Sequence, residues 1–408
     1  MIKRIMLGAI LIAAIPLSFK LFEPVFVYTS GWADLPDAFP ATASDVDPGE
    51  WSVAATGAQN ALVAGRQGLE APAISAAVSI DGQMVWRGVT GFSDLEAATS
   101  ATFDTRFRIG STSKAVTAVA VGTLIDDGRL DVDTAIQTYV PSYSRQGTSM
   151  TLGQVMSHRA GIRDYGLCLC FPIWEHQNRR AFESIDAAVA LVAASPLAFD
   201  PGAGFQYTSL GYNLVGAAIE GASDQTYERY LAEAVFAPLD MDHSGLDHKT
   251  RQLGRAVFYE TNEGRFKPAF AVDNSIRWAS GGIVSTPTDM VSLGNAMLDD
   301  RLLTAATRGL LVTVPHGGGS SAGAKMYALG WRHSAWQVHN GRLATDAFHH
   351  AGTAVGSMSV LVVLPEYRLV ISVMMNKGGD SADGLFAVTD RIIEAFIAPR
   401  VPQKGLDA

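Results

Sequence analysis

Arg108-Ile109-Gly110-Ser111-Thr112-Ser113-Lys114 closes a β-rich run and opens a helix. Val116 to Ile125 follows, largely apolar, mostly small or branched, and without Pro or charge until Asp126-Asp127-Gly128. This pattern predicts a buried helix, with Gly128 as its left-handed stop. Ser111 then falls at the helix N-terminus, with Lys114 three residues on, one turn away on the same face. The free N–H groups and positive dipole end of a helix favour negative charge developing there. A serine hydroxyl is a poor nucleophile until a neighbour takes its proton, and a lysine kept neutral by its surroundings can do so. The same residues would also serve as an N-cap and a solvated first-turn lysine. The uncharged run after Lys114, and two polar clusters downstream, favour the chemical reading.

The chain has 408 residues, of which 48% are hydrophobic and 17% charged, enough for a large core and unlike a disordered composition. The formal net charge is −9, with no basic stripe, which argues against nucleic-acid binding. Two cysteines, Cys168 and Cys170, make no disulfide framework. With His176 as the nearest further candidate they fall short of the four ligands of a structural zinc site, so packed thiols are expected.

Residues 1–31 read as a signal or membrane anchor outside the fold. Lys3-Arg4 precede an apolar run from Ile5 to Phe19, and no small-x-small cleavage site follows. An uncleaved anchor places the body of the protein on the non-cytoplasmic side of a membrane; a cleaved signal would leave it secreted or periplasmic. Residues 32–50 read as a linker, 51–398 as the folded domain and 399–408 as a tail. Within the domain, strands are expected over Ile74 to Ile80 and Met84 to Val89, joined by Asp81-Gly82, and again over Ser357 to Leu364 and Leu369 to Met375, joined by Pro365-Glu366-Tyr367. Helices are expected over Ile185 to Ala194, Tyr212 to Glu220, Tyr227 to Val235, Thr288 to Leu298 and, closing the chain, Asp390 to Ile397. The fold class is therefore α+β. An antiparallel sheet is built from both chain ends (about 51–110 and 325–398) and flanked by helices, with a mainly helical region inserted (about 111–324). Hairpins at both ends and no βαβ rhythm argue against a Rossmann or α/β-hydrolase fold.

The two downstream clusters are Tyr207-Thr208-Ser209 and His349-His350-Ala351-Gly352-Thr353. Tyr207 offers a phenol near Lys114, a proton relay for Ser111 and for a leaving group. Gly352 would let a ligand lie against the strand edge, and His350 could supply a donor or a positive charge. Adjacent histidines on a strand point to opposite faces, so one of the pair serves a given site.

Together these clusters resemble the serine β-lactamase and penicillin-binding protein superfamily, in particular class C β-lactamases, related esterases and peptidases, and the mitochondrial serine β-lactamase-like proteins. Ser111-Thr112-Ser113-Lys114 is similar to the family's S-x-x-K. Tyr207-Thr208-Ser209 falls where it has Tyr-x-Asn or Tyr-x-Ser, and His350-Ala351-Gly352 where it has Lys-Thr-Gly or His-x-Gly. Ser157-His158-Arg159-Ala160-Gly161-Ile162 and Trp278-Ala279-Ser280-Gly281-Gly282 resemble two further segments. The resemblance covers roughly residues 52–398. It implies a β-lactamase/transpeptidase-like fold and an acyl-enzyme on Ser111, with Lys114 and Tyr207 sharing the proton and the N–H groups of Ser111 and Thr353 forming an oxyanion hole. No metal or organic cofactor is implied. Ser209 stands where many β-lactamases use asparagine to hold the substrate amide, and His350 where lysine meets the substrate carboxylate. Both departures fit an esterase or peptidase acting on a small acyl or peptide substrate. The alternative is a penicillin-recognising sensor or scaffold domain on a membrane anchor.

Overall fold

The computed structural model describes residues 29–400, apart from Pro48, 144–147, 168–173, Arg251, 318–320, 339–340, Arg342 and Asp380. The segment before residue 29, Cys168 and Cys170, and the tail after residue 400 lie outside the described residues. Seven strands form the main antiparallel sheet: β1 (Ala43–Val46), β2 (Ala73–Ile80), β3 (Gln83–Asp94), β4 (Arg332–Val338), β5 (Leu343–Ala354), β6 (Ser357–Leu364) and β7 (Leu369–Met375), in the order β4-β5-β6-β7-β2-β3-β1. Thr99–Ser100 pairs with the end of β3. The two chain ends meet at the β7–β2 pair, with Leu369 opposite Ile80 and Met375 opposite Ile74.

The central strands are continuous apolar runs because both faces of the sheet are covered. Successive side chains of a strand point to opposite faces, so each run feeds two cores. Val360, Val362, Ile371, Val373, Ile74 and Val78 pack into one. Leu361, Val363, Val370, Met374, Ala73 and Ala77 pack into the other. The first core is closed by helices α1 (Ser52–Gly68) and α5 (Asp383–Ile397), which pack on each other. The second is closed by α2 (Ser113–Asp126), α3 (Tyr212–Ser223) and α4 (Pro287–Asn295).

Three sequence readings need correction. The closing helix begins at Asp383, because Leu385 and Val388 extend the buried stripe of Ile392, Ile393 and Phe396 by two turns. The stretch 32–50 carries two docked segments: Ala43–Val46 is the sheet edge, and Ala33–Asp34 pairs with the hairpin Tyr259–Asn262/Arg265–Pro268. That hairpin, and the strands Ile283–Ser285 and Gly245–Leu246, which form a small sheet with Phe107–Arg108, interrupt the mainly helical insertion. Their strands run only two to four residues, too short for an alternating pattern to stand out in sequence.

Candidate active site

Residues Gly110–Thr112 form a single 3-10 turn that leads straight into α2. The helix is buried on nearly every side, Lys114 included, and ends as its sequence predicts, with Gly128 at φ +69. The sheet holds the turn through serines of β6. Ser357 Oγ donates to the Arg108 carbonyl at 2.9 Å, and Ser359 Oγ donates to that of Ile109 at 2.7 Å. Thr112 Oγ1 lies 2.8 Å from Ser359 Oγ.

Two glycines let the backbones of β5 and the turn touch. A Cβ on Gly352 would sit 1.8 Å from the Ile109 carbonyl oxygen and 2.9 Å from Ser111 N. A Cβ on Gly110, whose φ is +51, would sit 2.7 Å from the Thr353 carbonyl oxygen and 2.9 Å from Thr353 N. The main chains of Ser111 and Thr353 are therefore neighbours. This corrects the expected role of Gly352: the space its missing side chain leaves is filled by protein backbone rather than by a ligand.

Lys114 Nζ lies 3.3 Å from Ser111 Oγ, 3.3 Å from Ser209 Oγ and 3.0 Å from the Ser280 carbonyl. That carbonyl comes from Trp278–Gly281, one turn of α-helix. The amine also faces the rings of Tyr207, at 4.7 Å, and Tyr212, at 5.3 Å. Burial pushes the Lys114 amine down to about 7; Asp164 opposes that shift, while Arg332 and Arg277 add to it. Near neutral pH a large share of the amine is thus uncharged and able to accept a proton. Tyr207 moves the other way, pushed up to about 12 by burial, against the opposing pull of the Ser111 hydroxyl and the Arg332 charge. It remains a phenol at neutral pH and suits proton donation rather than abstraction.

Ser209, expected to meet substrate, is occupied within the protein. Its hydroxyl faces Lys114, and its N–H donates to Asp164 Oδ1 at 2.8 Å. His350 is 1% exposed, and burial, with Arg332 and Lys114 nearby, holds its imidazole well below the ordinary range. It is neutral, which corrects the expectation of a positive charge there. Its neighbour His349 packs against Trp336 and Phe386 and, like Phe386, also borders the cavity onto which Ser111 opens. His158 is buried among Tyr207, at 4.3 Å between ring centroids, Tyr327, at 4.4 Å, and Tyr212, at 5.4 Å. The Thr208 N–H donates to its Nδ1 at 3.3 Å, so Nε2 carries the proton of the neutral ring.

Ser111 opens onto a cavity of about 360 Å³ whose walls include Tyr207, Arg332, His350, Thr353 and Phe386. The cation of this cavity is Arg332, at the head of β4 and opposite His349 in register. Its Nη1 reaches Met326 Sδ at 3.5 Å, and among the described residues no carboxylate pairs with it. Sequence reasoning missed Arg332, because a lone arginine at a strand start carries no pattern. It also missed Asp164, which no spacing ties to Lys114. Among the described residues no group of three His, Cys, Asp or Glu is placed to hold a metal ion.

The chain matches the family described as Beta-lactamase over residues 59–392. It is 29% identical over 379 residues to the serine beta-lactamase-like protein LACTB, mitochondrial, of Homo sapiens, covering 72% of this chain and 69% of that one. It is 28% identical over 313 residues to the D-aminopeptidase of Brucella anthropi, covering 71% of this chain and 58% of that protein. In fold it is similar to the D-amino acid amidase from Ochrobactrum anthropi SV3 complexed with D-phenylalanine, with a TM-score of 0.73 at 21% identity over 86% of this chain and 100% of that one. A sheet closed from both chain ends, a serine and a buried lysine at the head of its central helix, and a family match across most of its length lead to one conclusion: the chain belongs to the Beta-lactamase family of serine hydrolases.

Proposed function

We propose that the protein hydrolyses esters or peptides through an acyl-enzyme on Ser111. The observation that carries this reading is the fully buried Lys114, its amine pushed down to about 7, at 3.3 Å from Ser111 Oγ. In its neutral form Lys114 takes the Ser111 proton as Oγ attacks the acyl carbonyl. The oxyanion is received by the N–H groups of Ser111 and Thr353, whose backbones the two glycines hold together. Tyr207 passes the proton to the departing group, and water then releases the acyl group with the same residues in reversed roles.

Arg332 supports a substrate whose leaving side carries a carboxylate, because it lines the cavity that also holds Tyr207 and among the described residues no carboxylate pairs with it. A neutral His350 and an occupied Ser209 count against efficient β-lactam turnover, and the D-aminopeptidase and D-amino acid amidase likenesses lean toward amide or peptide substrates. Membrane attachment on the non-cytoplasmic side rests on Lys3-Arg4 and the apolar run after them alone.

The test is labelling with a fluorophosphonate followed by peptide mass spectrometry, together with turnover of acyl esters, D- and L-peptides and nitrocefin. Label confined to Ser111, with esters or peptides turned over faster than nitrocefin, is the expected result. Label elsewhere, or label retained in Ser111→Ala, removes the assignment. An acyl-Ser111 that forms and never clears would make the domain a sensor.

A further inference from the structure

On the other side of Thr353 lies a second cavity of about 470 Å³, whose walls include Tyr165, His176, Phe270, Arg277, Thr353 and Val355. Thr353 borders both cavities, so the acyl carbonyl held beside it has room on two sides. The proton donor decides which side is which. Tyr207 lines the cavity of Arg332 and not the second one. A leaving atom must be within reach of the group that protonates it. The leaving group therefore departs toward Arg332, and the acyl chain lies in the second cavity.

That cavity has its own cation. The Arg277 stem runs just behind the nucleophile: a Cβ on Gly281 would lie 3.6 Å from Arg277 Cδ and 3.7 Å from the Gly110 carbonyl carbon. The guanidinium then crosses the Tyr165 ring, 4.9 Å from its centroid, and one Nη donates to the His176 carbonyl. Its Nε is buried without a hydrogen-bond partner, and among the described residues no carboxylate pairs with it. The other charges lining the cavity are Glu260 and Lys267, which offset one another, and Arg277 is left as the surplus. Phe270, Pro268 and Val355 supply apolar wall between these charges. Such a cavity fits a short aliphatic chain that ends in an anion.

We propose that this second cavity is the acyl subsite and that Arg277 makes it selective for acyl groups ending in a carboxylate, so that the full substrate carries an anionic group on each side of the scissile bond. This rests on the serine-hydrolase reading above. A guanidinium in the cavity wall can hold a carboxylate through charge-assisted hydrogen bonds, stronger than those to a neutral amide of the same shape.

Two esters with one neutral leaving group test it: 4-methylumbelliferyl hydrogen adipate and its uncharged primary-amide counterpart, assayed with the full chain at low salt. The expected ratio of kcat/KM, acid over amide, is about tenfold or more in the wild type. It should fall to about one or below in Arg277→Gln and be partly kept in Arg277→Lys. A wild-type ratio near one overturns the proposal, as does a ratio that falls in Arg332→Gln but not in Arg277→Gln. If Arg277→Gln does not fold, the wild-type ratio and Arg277→Lys decide the matter. Mass spectrometry separates this outcome from failure of the underlying reading. The amide ester still leaving its acyl mass on Ser111 means that only the subsite is wrong; no acyl mass from either ester means that the hydrolase reading is wrong.

Discussion

The Tyr327 hydroxyl donates to Nε2 of His350 across 3.0 Å, while Nδ1 of the same ring faces the Ala351 carbonyl at 2.7 Å. A carbonyl only accepts, so Nδ1 carries the proton and Nε2 offers its lone pair to the phenol. Burial, with Arg332 and Lys114 nearby, outweighs the Ala351 hydrogen bond and disfavours the cation. Its NMR resonances should show no titration between about pH 5 and about pH 9. In the proposed mechanism the cation for a leaving-side carboxylate is Arg332, and Arg332→Gln should then raise KM for such substrates by about ten- to a hundredfold. A titrating His350, or an Arg332→Gln enzyme with an unchanged KM, would reverse the assignment.

In the proposed mechanism Lys114 sets the pH dependence of acylation. For a neutral ester, kcat/KM should rise with pH through about 7, as the amine loses its proton. Lys114→Arg, which cannot supply a neutral base, should lose at least about a hundredfold. The same depressed value carries a stability cost with a definite sign. Between about 7 and 10.5 the unfolded chain binds a proton at this lysine that the folded protein does not, so stability rises with pH across that window. Lys114→Met should flatten the rise, as read by urea melts at pH 7 and at pH 10. A wild-type curve already flat there contradicts the burial argument.

Gly352→Ala forces a methyl group into the Ile109 carbonyl. Since β5 and the nucleophile turn must part to admit it, the Ser111 and Thr353 N–H groups lose their common aim. Single-turnover acylation should slow by about a hundred- to a thousandfold, the usual cost of a lost oxyanion donor. A ligand-facing role for Gly352 would instead show as a change in KM at constant acylation rate.

Three buried neutral histidines make the protein sensitive to acid. His158 and His350 are held well below the ordinary imidazole value, and His349 is pushed down to about 4, in each case chiefly by burial. Below about 6.5 the unfolded chain takes up protons that the folded rings refuse, so stability is full above that pH and falls as pH drops. Each such ring costs about 1.4 kcal/mol per pH unit within its window. Urea melts at pH 7 and pH 5 should differ accordingly, with a smaller difference in His349→Gln. Equal stability at the two pH values would show the rings to be charged in the fold.

The long apolar runs of β6 and β7, and the uncharged helix after Lys114, could be read in the sequence because each is a local pattern filled by one kind of residue. Ser111, Lys114 and Tyr207 could be picked out because reactive side chains stood at turn-to-helix boundaries. Arg332 and Arg277 could not. A cation in a cleft acquires its meaning from having no carboxylate beside it, and that is a property of every element packed around it. Gly352 was visible as a glycine, but its reason was not, since the atom it accommodates belongs to Ile109. His350 was misread for a similar cause: its neutrality comes from burial and from the charges of Arg332 and Lys114, neighbours brought to it only by the tertiary fold.

The meeting of the chain ends in the sheet also bears on how the protein is made. Ala73 N–H, at the start of β2, donates to the side chain of Asn376, 303 residues further along. The innermost strand pair cannot form until residues up to Asn376 have left the ribosome, and pairings of such separation are slow to find. A nascent chain halted before β5 would have its serine and lysine but no Thr353 beside them, and no sheet to fix either. On the proposed function, the reactivity of Ser111 is thus withheld until β5 to β7 have emerged and paired.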